Sequence, residues 1–142
     1  MESDPKIERA RLSRWTGSAA KGRALALDRR RGHRLLPREI EESLPALYSF
    51  EKGGPKVGEA SMVLLKVFDA CGRGSWYATE FDPEDGTCFG FVQSPLQPDF
   101  DELGYFNLWE LGTVRNRMGI PLERDCHWTP CPLDDVVSGK RR

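Results

Sequence analysis

No stretch of this chain is apolar for long enough to cross a bilayer. Runs such as Met62-Val63-Leu64-Leu65 end far short of the roughly 20 residues a spanning helix needs. The basic N-terminus has no apolar segment of the kind a secretory signal carries, so a cytoplasmic protein with no membrane partner is expected. Cysteine is sparse: Cys71, Cys88, Cys126 and Cys131 show no Cys-x-x-Cys spacing, which points to reduced thiols rather than a disulfide framework or a zinc site. His127 is adjacent to Cys126, so on a strand the two point to opposite faces and cannot work as a nucleophile and base. The glycines form no phosphate cradle, because Gly53-Gly54 and Gly72-x-Gly74 lack the glycine series and the Lys-Ser/Thr context. No cofactor or metal is therefore expected, and the residues favour a binding protein over an enzyme.

What is present is a soluble composition, 39% hydrophobic and 30% charged, on 142 residues, enough for one domain with a modest core. The net charge of −1 hides an asymmetry. Residues 1–34 hold ten Lys or Arg against four acids, and the remaining residues hold eleven against eighteen. A basic arm thus precedes an acidic body. Such an arm is drawn to phosphate polymers by Coulomb attraction and counterion release, or folds back on its own domain. With few large apolar residues, it is expected to be a mostly disordered tail, with one transient helix around residues 5–14. The expected organisation is a tail over 1–34, one α+β domain over 35–137 and a basic end over 138–142.

Within the body, Pro37, Ile40 and Leu44 indicate a short helix that ends at Pro45, and Gly53, Gly54 and Pro55 a loop over 51–58. Residues 61–69 read as one buried strand. Residues 75–92 then write a β-hairpin. Two aromatic and β-branched runs flank Asp82-Pro83-Glu84-Asp85-Gly86, where Pro83 presets φ and Gly86 can take a positive one. A short strand over 103–106 leads to Asn107, a helix cap with Glu110 three residues on, and a helix is expected over 108–118 until Gly119 and Pro121 stop it. An extended segment over 125–132 and a helical turn over 133–137 complete the pattern. The fold class is α+β, a small antiparallel sheet or open barrel with a few short helices.

The series Leu44-Pro45-Ala46-Leu47-Tyr48-Ser49, Trp76-Tyr77-Ala78-Thr79-Glu80-Phe81-Asp82, Cys88-Phe89-Gly90-Phe91-Val92, Glu102-Leu103-Gly104-Tyr105-Phe106-Asn107-Leu108-Trp109-Glu110-Leu111 and Pro121-Leu122-Glu123-Arg124-Asp125 resembles the bacterial domain of unknown function 2958 over about residues 35–135. The resemblance implies a compact single domain without an established reaction, associated by genomic company with plasmids, phages and other mobile elements. The first 34 residues fall outside it.

Three functional readings follow. The first is a non-enzymatic nucleic-acid-binding accessory protein, in which Arg115, Arg117 and Arg124 meet phosphates while Trp76, Tyr77 or Tyr105 stack on bases of single-stranded DNA or RNA. It requires one aromatic face of the hairpin to be exposed. Period-2 geometry places Trp76 and Ala78 on one face and Tyr77, Thr79 and Phe81 on the other. The second reading is a protein-interaction adaptor acting on host defence or conjugation machinery through an aromatic patch. The third, a hydrolase, needs Glu80, Asp82 and Asp125 to converge in one pocket. The bland reading of the aromatics is that they fill the core, and that of Arg124 and Asp125 is an ion pair or backbone clamp.

Overall fold

The computed structural model describes residues 19–49 and 61–142, so the expected helix over 5–14 and loop over 51–58 lie outside the described residues. Strands β1 (Met62–Val63) and β2 (Leu65–Phe68) are followed by β3 (Ser75–Phe81), β4 (Thr87–Gln93), β5 (Glu102–Asn107), β6 (Glu123–Arg124) and β7 (Cys131–Pro132). Five of them form an antiparallel sheet in the order β5-β4-β3-β2-β6, and β1 pairs with β7 in a second, two-stranded sheet. The helices are short: α1 (Asp28–Arg31), α2 (Arg38–Ser43), α3 (Leu108–Thr113) and α4 (Leu133–Val137). This is the expected α+β class.

The β3–β4 hairpin forms where the turn residues place it. Gly86 sits at φ 86°, and its amide donates to the Asp82 carbonyl at 2.8 Å. A side chain at Gly86 would also begin 2.2 Å from the Trp109 indole, so both conformation and space demand glycine.

Both faces of the sheet are core, because each carries apolar side chains and each is covered. On one face Leu65, Val67, Ala78, Phe81 and Cys88 are buried with Leu35, Leu44, Leu108, Trp109 and Leu122. On the other, Tyr77 and Phe91 are buried with Val63 of β1, Cys131 of β7 and Val136 of α4. A register shift between Ala78 and Glu80 puts a bulge in β3. Strict alternation therefore fails. Phe81 joins the face of Ala78, whereas Glu80, opposite Phe89, joins the face of Tyr77, opposite Phe91.

Three other expectations are corrected. The single strand over 61–69 breaks at Leu64, so β1 and β2 enter different sheets. The helix over 108–118 ends at Thr113. Val114 is extended, and its carbonyl accepts from Leu122 N–H at 3.3 Å, so the chain turns into a hairpin instead of another helical turn. Finally, order begins well before Leu35: residues 19–26 are helical, α1 follows, and Ala20, Ala24 and Arg31 are buried. The reason is steric. At Gly112 of α3 a Cβ would begin 2.6 Å from Ala24 Cβ and 2.8 Å from Leu35 Cδ2, so a bare helix surface meets small residues, and close approach replaces large apolar side chains.

Candidate nucleic-acid interface

Between α3 and β6 the chain forms a small hairpin. Arg115 and Pro121 pair as an isolated antiparallel bridge, and residues 116–119 make the turn, closed by Gly119 N–H donating to the Asn116 carbonyl at 2.9 Å. Asn116 makes the turn rigid. Its Oδ1 accepts from Met118 N–H at 2.9 Å and Ile120 N–H at 3.1 Å, and its Nδ2 donates to Asp69 Oδ1 at 3.0 Å, tying the tip to the end of β2. Arg115 and Arg117 are exposed on this hairpin, as are Val114, Met118 and Ile120.

The base of the hairpin is clamped by Arg31. Its Nε donates to the Leu122 carbonyl at 2.7 Å, one guanidinium nitrogen to the Gly112 carbonyl, and the other to the Ala24 carbonyl at 3.0 Å and to Asp28 Oδ1 at 2.7 Å. One cation thus satisfies carbonyls on both sides of the hairpin. Burial pulls the guanidinium below its ordinary pKa, and the Asp28 carboxylate opposes that shift.

Docking of α1 brings one further cation beside the hairpin. The Arg30 guanidinium passes 3.6 Å from where a side chain on Gly119 would begin. Arg124 Nε donates to the Arg34 carbonyl at 2.9 Å, and Arg124 N–H donates to His33 Nε2 at 3.1 Å. Arg124 is therefore the backbone clamp its sequence context suggested. His33 is held below its ordinary pKa by burial first and by the Arg124 charge second, while Glu123 and Asp28 pull the other way. Arg30, Arg34, Arg115, Arg117 and Arg124 make no ion pair with a carboxylate among the described residues.

The aromatic half of the expected site is elsewhere. Tyr77 has no exposed surface, its ring lies 5.6 Å from Trp128 and 6.2 Å from Phe91, and burial raises its phenol pKa. No face of it is left for a base. Trp76 is half-buried against the first core, with its ring over Gly74. Tyr105 is half-buried in a separate trio, 5.1 Å from Phe89 and 5.8 Å from Tyr48. The structure thus places Arg115 and Arg117 on the hairpin and Arg124 on β6, with Trp76, Tyr77 and Tyr105 packed elsewhere.

The three carboxylates of the hydrolase reading are each engaged locally. Glu80 accepts from Ser49 Oγ at 3.0 Å, Asp82 Oδ1 from Glu84 N–H at 2.9 Å, and Asp125 lies 4.0 Å from Lys66 Nζ. The four cysteines are free thiols. Among the described residues, no helix is long and apolar enough to cross a membrane, and no cluster of three His, Cys, Asp or Glu residues could hold a metal.

Sequence reasoning missed Arg30, Arg31 and Arg34 as parts of a folded site, since charge alone marked them as tail. The available signal was Ala20 and Ala24 at i, i+4 spacing, followed by Asp28 and Arg31 at i, i+3 and then by Leu35-Leu36. A family model described as "Protein of unknown function (DUF2958)" matches residues 35–134. No curated protein and no solved structure matches the chain.

Proposed function

This chain belongs to the DUF2958 family of proteins of unknown function, and from that premise we propose that it is a non-enzymatic nucleic-acid-binding accessory protein, working in the mobile-element setting that the resemblance implies. The observation that carries the reading is that Arg115 and Arg117 stand exposed on a hydrogen-bonded hairpin with Arg30 beside its Gly119, and that no carboxylate is paired to Arg30, Arg115, Arg117 or Arg124 among the described residues. Exposed arginines without a carboxylate partner are available to phosphates, even with Glu123 and Asp69 in the surroundings of the hairpin and a net charge of −1 on the chain. Arginine also suits the role because its planar fork meets phosphate oxygens in pairs.

The test is fluorescence anisotropy with labelled duplex and single-stranded DNA and RNA across a salt series. The expected result is affinity that falls steeply and linearly on logarithmic axes as salt rises. Absence of binding at low salt, or binding indifferent to salt, would sink the proposal.

The adaptor reading is favoured by one observation: Val114 at 45%, Met118 at 71% and Ile120 at 38% exposure stand on the same hairpin as the arginines. An interface built on those side chains would tolerate salt, so the same titration separates the two.

A further inference from the structure

Resting on the nucleic-acid reading, we propose that the hairpin is a wedge for duplex DNA: Met118 inserts between stacked base pairs from the minor groove while Arg115 and Arg117 hold the flanking phosphates. A single exposed methionine is ordinary on a protein surface and carries nothing by itself. Here three independent features coincide. Met118 is the most exposed large apolar residue of the hairpin, and it sits within its turn. The turn is braced from within, since the Asn116 side chain bonds the amides of Met118 and Ile120 and anchors to Asp69. Exposed arginines precede it at 115 and 117, with Arg30 beside Gly119.

A wedge needs those properties together. Prying apart a base step costs unstacking energy, which only a preorganised apolar tip flanked by phosphate-binding cations can offset. The unbranched methionine side chain is slender and adaptable, suited to a partly opened step. Duplex is favoured over single strand by the same geometry. Binding of single strands relies on aromatic platforms, and Tyr77 is buried, Trp76 half-buried in the core, and Tyr105 packed in its own trio away from the hairpin. DNA rather than duplex RNA is the target because apolar wedges open B-form base steps from the minor-groove side with a single side chain, whereas duplex RNA is bound mainly by shape and 2′-hydroxyl contacts.

The experiment uses the full chain and a DNA duplex of about 30 base pairs with a fluorophore at each end, reading bending as energy transfer and binding as anisotropy. Wild type is expected to raise the transfer efficiency on binding and to prefer duplex DNA over single-stranded DNA and over duplex RNA. Met118→Ala is expected to abolish the rise and lower duplex affinity about tenfold, whereas Met118→Leu retains both. Met118 is solvent-exposed, so neither variant should change the urea midpoint, which is measured alongside. Salt-dependent duplex binding with no change in transfer, or bending unaltered in Met118→Ala, overturns the wedge and leaves the nucleic-acid reading standing. A preference for single strands does the same. Absence of binding to any nucleic acid at low salt overturns both.

Discussion

Arg31 and Leu122, 91 positions apart in the chain, are joined by a 2.7 Å hydrogen bond from the buried guanidinium Nε to the backbone carbonyl. With the bond to the Gly112 carbonyl it makes one side chain the floor of the 114–122 hairpin and anchors α1 against that floor, while Asp28 of the same helix pairs with the guanidinium. The arginine that is buried is thus what positions the arginines that are not.

Removing that clamp takes a donor from the carbonyls of Gly112, Leu122 and Ala24, the last of which keeps Leu27 N–H, and leaves Asp28, itself largely covered, with the Leu35 N–H but without its cation. Arg31→Met is expected to cost about 2–4 kcal/mol, because buried acceptors and a half-buried charge lose compensation while packing volume is roughly kept. Urea unfolding would check it. A change below about 0.5 kcal/mol, the scale of an ordinary surface substitution, would show that the clamp contributes nothing.

A chain beginning at Leu35 loses Ala20, Ala24 and Arg31 from the core and should be strongly destabilised relative to the full chain. Circular dichroism melts of the two chains compare them directly. Equal melts for the 35-start and full chains would mean that the first helices contribute nothing to the fold.

Arg115→Ala combined with Arg117→Ala should lower the magnitude of the salt slope by about two, roughly one for each phosphate no longer neutralised, with stability within about 0.5 kcal/mol of wild type. Both residues are exposed and neither is tied into the core. An unchanged slope would remove them from the interface.

Tyr77→Ala is expected to act on stability, at about 3–5 kcal/mol, the range for emptying a large aromatic site in a core. Any loss of binding in that variant should follow its loss of fold. A Tyr77→Ala protein of wild-type stability that has lost nucleic-acid affinity would contradict the buried placement.

His33 links stability to pH. Its Nε2 accepts the Arg124 amide and so must be unprotonated, and burial holds its folded pKa below the unfolded value of about 6.5. As pH falls through about 6.5 the unfolded chain takes up the proton before the folded one does, so this contribution is complete above that value and is lost progressively toward the folded pKa. Urea midpoints from about pH 8 to about pH 5.5 should decline for wild type and decline less for His33→Gln. A wild-type midpoint that rises on acidification would refute the assignment.

Much of the fold was legible because it is locally written. Pro83 and Gly86 specify a turn wherever they stand, Asn107 caps a helix through its own neighbours by accepting from Trp109 and Glu110 amides, and the β3 and β4 runs are strands by composition. The end of α3 was not legible, because helical spacing continues past Thr113 and only the tertiary pairing of Val114 with Leu122 redirects the chain. Nor was the bulge in β3, which shifts every later side chain to the opposite face through one unpaired residue.

By itself, then, the sequence determined the α+β class, the hairpin of β3 and β4, and the cap that starts α3, since these rest on residue type and short spacing. The tertiary structure alone decided that both faces of the sheet are covered, so Tyr77, Phe81, Phe91 and Trp109 are held in the core. It also decided that a basic segment read as tail is part of the fold. The reason is the same in both cases: burial of an aromatic or of a guanidinium depends on what distant chain supplies as a cover and as hydrogen-bond acceptors, and neither Tyr77 nor Arg31 carries that information in its neighbours.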